Sequence, residues 1–396
     1  MTYTTSKEVD KIVGKHLEVI NKIILENCSP KTIILFGSYG KGEGTIFNNK
    51  PFNDYDIYIV EDKKRNDEFY EELGKKASKE IGFGGEEFIE TLNESYDRNK
   101  FFHVDIRGLQ YKKLNKLKKG QRTFEIKYAS KILYGEDVRS KINVEESDIS
   151  LSEAWRHAFN KSCLLLLSMN KERLNNNFKN DERLIIAYYS IKTFLACCDI
   201  LLILRNRFKP TYQERNKLFK ELYSSEFPEL VKKIDFATKL KLNFQISKIK
   251  DVVKFWKEAR DTLYFAVYLL AKTLGIEEKY KIKLMQGIYK KLPFAYFDPY
   301  LPSHKLYPAQ YLLNFKYFLR TKHFKTLTTW RDPGIRIFFP AFLLLYAIES
   351  EEEFKALSIE IRNYLSKLAK INGSTFEDYR KAALYSYGKY YTQKLI

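Results

Sequence analysis

Cysteine is scarce in this sequence of 396 residues, which contains only four. The cysteines lie mostly within apolar stretches, and no two of them have the spacing of a metal-binding pair: Cys28, Cys163, Cys197 and Cys198. Disulfide frameworks and zinc-binding modules depend on regularly spaced cysteines, which this chain does not have. We therefore expect buried, reduced thiols in a cytoplasmic protein.

Long uninterrupted hydrophobic runs are also missing. The longest candidate, residues 184–204, is interrupted by Lys192 and Asp199, and Ile335–Ile348 is too short to cross a bilayer. The first eight residues are polar, and an amphipathic helical pattern follows them, so the sequence predicts no N-terminal targeting signal. We expect no membrane span.

Acidic residues are in deficit, but only in the second part of the chain. Residues 1–140 contain 25 Lys and Arg against 23 Asp and Glu, whereas residues 141–396 contain 44 against 27. A basic region of this kind favours a polyanionic partner such as RNA. A generally Lys-rich composition, also rich in Asn, Ile and Tyr, would explain the same excess.

A glycine-serine pair follows one apolar run, and two aspartates begin another. Ile33–Phe36 predicts a short buried strand, and Gly37 permits a tight turn whose N–H groups can face an anion, with the Ser38 hydroxyl beside them. Asp54 and Asp56 alternate with apolar residues, so the period of a strand sends both carboxylates to one face. Two such oxygen ligands suit Mg²⁺, which binds through carboxylates and substrate phosphates.

A third carboxylate lies on a later strand-like segment. Alternation there directs the apolar residues to the core and places His103, Asp105 and Arg107 on the opposite face. Three polar groups on one face would be costly in a dry environment, and a site that contains a metal ion and a triphosphate would satisfy them. Asp105 is therefore the candidate for the third acidic residue of one site.

The order Gly37-Ser38, spacer, Asp54-x-Asp56 and a later acidic strand resembles the signature of the nucleotidyltransferase superfamily. That superfamily includes DNA polymerase beta, the aminoglycoside nucleotidyltransferases and the minimal nucleotidyltransferases. The resemblance implies a mixed-sheet catalytic domain that binds a nucleoside triphosphate, such as ATP, and two Mg²⁺ ions held by the two aspartates and Asp105. The spacer, residues 39–53, is longer than usual, so the base preference does not carry over.

The resemblance also implies a reaction and roles for the neighbouring residues. Asp105 takes the proton of an acceptor hydroxyl, which attacks the α-phosphorus and releases pyrophosphate. The glycine-serine turn holds the β- and γ-phosphates. Lys41 either adds a cationic contact to these phosphates or is a solvated loop lysine. Arg107 contacts a phosphate and His103 orients the acceptor.

The whole chain is expected to have an α+β fold. Residues 1–140 form the nucleotidyltransferase domain, residues 150–278 a helical bundle that resembles substrate-binding or HEPN-like bundles, and residues 279–396 a basic, aromatic-rich helical region. The predicted helices are 6–27, 62–79, 122–133, 154–169, 181–205, 251–274, 351–370 and 374–390. The predicted strands are 33–36, the strand at Asp54, 88–92 and 101–109.

Residues 281–340 combine 11 Lys and Arg with 14 aromatic residues and only two acids. Such a mixture would grip a single-stranded nucleic acid or a sugar by charge and stacking, or would pack as a helical core. The candidate rings are Phe294, Tyr296, Phe297, Tyr300, Tyr307, Tyr311 and Tyr317.

The sequence therefore predicts an Mg²⁺-dependent transfer of a nucleoside monophosphate from a triphosphate to an acceptor hydroxyl. The acceptor is open between RNA, a protein hydroxyl and a saccharide-like molecule, and the charge excess argues against a cationic antibiotic. The alternative is a catalytically silent module that senses nucleotides or binds a protein partner. The intact aspartates speak against that alternative.

Overall fold

A computed structural model describes residues 1–84, 102–292, 303–328 and 331–391. By its contacts the chain divides into two compact units. Unit 1 contains residues 1–149 and 205–248, and unit 2 contains residues 150–204 and 249–396. The architecture is the predicted α+β one, with a small mixed sheet in unit 1 and a helical region in unit 2.

Within the described residues, the main sheet of unit 1 has four strands in the order β5-β4-β1-β6. These strands are β1 (Thr32–Phe36), β4 (Asp54–Glu61), β5 (His103–Gln110) and β6 (Lys131–Gly135). Strand β4 runs parallel to β5 and antiparallel to β1, which in turn is antiparallel to β6. The strands predicted at 33–36, at Asp54 and at 101–109 are thus confirmed, whereas the strand predicted at 88–92 lies outside the described residues.

Two amphipathic helices cover one face of this sheet. Helix α1 (Lys7–Asn27) starts at Ser6, whose side chain accepts a hydrogen bond from the Val9 N–H. Helix α3 (Asp67–Glu80) begins in the same way at Asn66, later than the predicted start at residue 62. The apolar stripes of both helices and the inward side chains of β1, β4 and β5 form one hydrophobic core. This packing leaves the opposite face of the sheet for polar residues.

One predicted element was wrong in its second half. Residues 122–133 were predicted as a single helix, but α4 (Gln121–Ala129) ends early and β6 begins at Lys131. The apolar pattern of Ile132 and Leu133 suits either element. Pairing with β1, about a hundred residues earlier in the chain, decides for the strand because it satisfies the otherwise open edge of the sheet.

The long spacer between the glycine-serine pair and the aspartates folds as a short hairpin. The single-turn helix α2 (Gly37–Gly40) comes first, and β2 (Thr45–Phe47) then pairs with β3 (Lys50–Phe52). The turn residues Asn48 and Asn49 both have positive φ angles, of 50° and 56°, as tight hairpin turns require.

Two helices from the middle of the sequence pack against this hairpin region. They are α8 (Tyr212–Tyr223) and α9 (Pro228–Leu242), which the sequence grouped with the bundle at 150–278 but which belong to unit 1 by contact. The buried carboxylate of Glu43 accepts hydrogen bonds from the N–H groups of Tyr212 and Gln213, at 2.6 and 2.9 Å. Lys241 in α9 donates to the Thr45 hydroxyl.

Unit 2 is helical throughout its described residues. Its helices are α5 (Leu151–Ser168), α6 (Lys171–Leu174), α7 (Asn180–Leu204), α10 (Val252–Lys272), α11 (Lys281–Lys291), α12 (Ser303–Thr321), α13 (Pro333–Ala347), α14 (Glu351–Leu365) and α15 (Phe376–Tyr391). The predicted helices at 154–169, 181–205, 251–274, 351–370 and 374–390 are confirmed. The Arg380 guanidinium donates to the carbonyls of Leu166, Leu167 and Met169 at 2.8–2.9 Å, which satisfies the end of α5.

Helix α7 is long and apolar enough to cross a membrane, but 89% of its most apolar window is buried inside the protein. Packing in unit 2 therefore accounts for its composition. All four cysteines are buried thiols that form no disulfide, as predicted.

One proposed stacking ring is part of the core. Tyr317 is fully buried and donates to the Leu368 carbonyl, so it packs between helices and cannot face a ligand. Tyr311, by contrast, is 59% exposed. The side chains of the other five candidate rings, Phe294, Tyr296, Phe297, Tyr300 and Tyr307, lie outside the described residues.

Candidate active site

The glycine-serine turn directly abuts one of the aspartates. Gly37 follows the last residue of β1 and has a φ of +63°, a region that favours glycine. A Cβ atom on this residue would lie 1.9 Å from Oδ2 of Asp56. The close approach explains why glycine is required here. Ser38, the next residue, is partly exposed.

Strand register brings the predicted acidic residues together. In the parallel pair of β4 and β5, Asp54 lies opposite His103 and Asp56 lies opposite Asp105. Residues opposite one another in a sheet point to the same face. The alternation of buried and partly exposed residues along β5 confirms that His103, Asp105 and Arg107 share the face away from the core.

The clustered carboxylates disfavour full ionisation. Burial raises the pKa of Asp56 to about 7, and the charges of Asp54 and Asp105 add to this shift. The guanidinium groups of Arg122 and Arg107 oppose it. The two guanidinium charges do not cancel the effect of burial and of the two neighbouring carboxylates, and a bound cation would favour the ionised form of Asp56.

Asp105 is engaged by the arginine two residues further along its strand. Arg107 Nε donates to both Asp105 oxygens at 2.9 and 3.1 Å, and Nη2 donates to Oδ2 at 2.5 Å, so two guanidinium nitrogens hold the carboxylate. His103 Nε2 lies 3.9 Å from Asp54 Oδ2, so the histidine is beside the other end of the carboxylate row. His103 and Arg107 therefore both lie beside the predicted carboxylates, and Arg107 binds Asp105.

The donor set fits Mg²⁺ by its chemistry. Three carboxylates on one face supply the oxygen ligands that this ion prefers. Within the described ranges, no three His, Cys, Asp or Glu side chains are close enough to hold a metal ion as they stand. Asp54 and Asp56 would hold an ion directly, and Asp105 would join them by turning away from Arg107.

Lys41 points away from these carboxylates. Its ammonium group is almost fully buried and lies 2.8 Å from Glu125 Oε1 in α4, with Arg215 of α8 3.4 Å from the same oxygen. Burial lowers the pKa of Lys41, and the Glu125 carboxylate opposes that shift. Lys41 also lies over the Tyr212 ring. We therefore assign it to the packing of α8 on the turn and not to a phosphate.

Sequence reasoning missed Arg122, the second residue of α4. It is exposed, its guanidinium lies 5.8 Å from the centre of the Phe36 ring, and its charge acts on Asp56. Phe36 is the residue before Gly37 and pairs with Asp56 across the sheet. No motif marks this arginine, because only the contact of α4 with β1 brings it near the turn.

No protein-family model and no curated protein sequence matches this chain.

Proposed function

We propose that unit 1 is an Mg²⁺-dependent nucleotidyltransferase domain, as the motif resemblance implies. One observation carries the proposal: Asp56 pairs with Phe36 on one side and with Asp105 on the other, so the turn and the carboxylates form one site. The Gly37 contact with Asp56 supports it, because the turn that would hold phosphates touches the residue that would hold the metal.

In this proposal each acidic residue has a distinct task. Asp54 and Asp56 would hold Mg²⁺, which would offset the negative charge of the triphosphate oxygens. Asp105 accepts the proton of the acceptor hydroxyl as its oxygen bonds to the α-phosphorus, and the bond from that phosphorus to the bridging oxygen breaks to release pyrophosphate. Arg107 holds the Asp105 carboxylate in one orientation until the substrates arrive.

The triphosphate would lie against the turn and the arginine of α4. The backbone N–H groups and hydroxyl of the Gly37-Ser38 turn are suitable donors to the β- and γ-phosphates. Arg122 replaces Lys41 as the proposed cationic contact, because it is exposed and close to Asp56 while Lys41 is buried against Glu125. His103 stays the proposed contact for the acceptor at the Asp54 end of the site.

The acceptor is assigned only by class. Residues 141–396 carry the excess of positive charge, which favours a polyanion such as RNA over an uncharged saccharide or a cationic antibiotic. A protein hydroxyl flanked by acidic residues would satisfy the same charge.

A second function is favoured by the pairing of Asp105 with Arg107. If that pair persists when nucleotide binds, the third carboxylate is not available for catalysis, and unit 1 would be a silent domain that senses nucleotides or binds a partner.

The two proposals are separated by a labelling experiment with the full chain. The protein is incubated with Mg²⁺, fractionated cell extract and each α-³²P-labelled triphosphate in turn, and the RNA, protein and small-molecule fractions are counted. We expect label in one fraction, together with released pyrophosphate. Asp56→Asn should abolish transfer, and Asp62→Asn, a change at an exposed aspartate just beyond the same strand, should not. Binding of a triphosphate without any labelled fraction would instead support the silent domain.

A further inference from the structure

We propose that the outer face of α12 binds the surface of an anionic lipid bilayer without crossing it. The face consists of apolar side chains that are 40–74% exposed: Tyr311, Leu312, Phe315, Leu319, Phe324 and Leu327. The first four lie on α12 and the last two on the turn of 3₁₀ helix that follows it (Phe324–Thr328). We call this set the α12 apolar face. The proposal is independent of the nucleotidyltransferase site.

Helix geometry makes the four residues on α12 one continuous surface, and the Phe318 ring connects it to Phe324, with ring centres 6.3 Å from Phe315 and 4.9 Å from Phe324. Tyr311, Phe315 and Leu319 are spaced four residues apart and therefore follow one another along the helix, with Leu312 beside them. The opposite side of α12 is fixed to unit 2. Asn314 is buried and donates to the Arg331 carbonyl, and Tyr317 is buried as described above. The outer face is therefore held in place by its own helix and presented to solvent.

The charged side chains of the segment that carries the face all have one sign. Lys316, Lys322 and Lys325 are exposed on or beside it, and residues 303–328 contain no acidic residue. An amphipathic helix with apolar residues on one side and lysines at its border is the arrangement that lies in a bilayer interface. Its lysines are attracted to the negative surface of a membrane that contains anionic lipids.

The chemistry of the face favours lipid over two other partners. Three of the six apolar residues are leucines, which offer neither stacking to bases nor hydrogen bonds to phosphates, so a single-stranded nucleic acid would leave them without a matching contact. A second copy of the face would bring its lysines against one another, which opposes self-association. Acyl chains bury the leucines and the rings, and anionic headgroups match the lysines.

The test is sedimentation of the full chain with vesicles of phosphatidylcholine alone and of phosphatidylcholine mixed with phosphatidylglycerol. We expect binding to the mixed vesicles and little to the neutral ones. The double substitution Phe315→Gln and Leu319→Gln should weaken binding by about tenfold or more, because both side chains lose their apolar contact. Both residues are exposed, so the fold should be kept, which circular dichroism checks.

Matched controls use exposed residues on other helices. Leu25→Gln with Ile359→Gln removes two exposed apolar side chains elsewhere and should leave binding unchanged. Replacing Lys316, Lys322 and Lys325 by Gln should weaken binding, whereas the same change at the exposed Lys7, Lys11 and Lys15 of α1 should have much less effect.

Four outcomes would overturn the proposal. They are no binding to the mixed vesicles, equal weakening by the two lysine sets, a dimer in light scattering that Phe315→Gln and Leu319→Gln dissociate, and binding of single-stranded RNA that this double substitution removes.

Discussion

At the scale of single residues, Asp56 combines two opposed demands. Burial raises the pKa of Asp56 to about 7, and the neighbouring carboxylates of Asp54 and Asp105 add to this shift. An aspartate in an unfolded chain titrates near 3.9. The folded protein therefore prefers the protonated form. The contribution of Asp56 to the free energy of unfolding therefore falls as the pH rises from about 4 through 7, by up to about 4 kcal/mol.

This leads to a prediction for Asp56→Asn. The asparagine is neutral at every pH, so in EDTA the variant should have a higher melting temperature than the wild type at pH 8 and nearly the same one at pH 4. Added Mg²⁺ should stabilise the wild type at pH 8 and leave the variant unchanged, because the ion needs the carboxylate. Thermal denaturation with and without Mg²⁺ measures both effects, with Asp62→Asn as the control. If Mg²⁺ stabilised the wild type and Asp56→Asn equally, the ion would not bind at Asp56.

Gly37 is the second residue whose identity the site dictates. Gly37→Ala meets both a positive φ and the Asp56 carboxylate at 1.9 Å, so we expect it to cost about 1–3 kcal/mol of folding free energy and to weaken triphosphate binding. The matched control is Gly14→Ala in helix α1, where the added methyl group meets no atom within 4 Å. That change should stabilise the protein by about 0.5–1 kcal/mol. Urea denaturation and triphosphate titration measure both variants. If Gly37→Ala bound the triphosphate as tightly as the wild type, the turn would not be part of the triphosphate site.

The residues of the candidate site also show what the sequence could predict. Alternation of apolar and acidic residues was enough to place Asp54 and Asp56 on one face of their strand and Asp105 on the polar face of another, since strand periodicity is local information. The expectation that the three meet in one site came from the motif resemblance. Neither predicted that Lys41 turns to Glu125 or that Arg122 approaches Phe36. Those contacts depend on how α4 packs, and no local pattern encodes that packing.

At the scale of elements, helices could be predicted from local patterns, whereas an edge strand depended on contacts distant in sequence. The long helices of unit 2 were predictable because their apolar spacing repeats over several turns. Strand β6 was not, since Ile132 and Leu133 form a short apolar run whose structure depends on a partner strand far away in the chain. The assignment of α8 to unit 1 likewise depends on Glu43, which is 169 residues away from the N–H of Tyr212.

Glu43 gives the prediction at this scale. Its carboxylate is buried and accepts the first two N–H groups of α8, so Glu43→Ala leaves two donors without a partner. We expect a loss of about 1–3 kcal/mol and faster hydrogen exchange at the amides of Tyr212 and Gln213. The control is Glu71→Ala, which removes an exposed carboxylate paired with Lys75 and should cost less than about 0.5 kcal/mol. Unaltered exchange at both amides would show that Glu43 does not hold the start of α8.

At the scale of the whole molecule, net charge is the property that bears on the acceptor. The chain carries a formal charge of +19, nearly all of it in residues 141–396. This excess has two explanations, a polyanionic acceptor and a generally Lys-rich composition. They predict different effects of salt on acceptor binding. Binding of a polyanion releases counterions and weakens steeply as salt is added. A composition without a polyanionic partner carries no such dependence.

The last prediction therefore concerns the salt dependence of transfer. For an RNA acceptor that contacts about six phosphates, the affinity should fall by several hundredfold between 50 and 200 mM KCl. The triphosphate, held by Mg²⁺ and a few fixed groups, should change far less over the same range. Measuring the KM of each substrate against KCl concentration separates the two, and the Asp56→Asn variant sets the background of the assay. If the KM of the acceptor did not change with salt, the positive charge would reflect only the Lys-rich composition of the chain. The acceptor would then be an uncharged compound with a hydroxyl group.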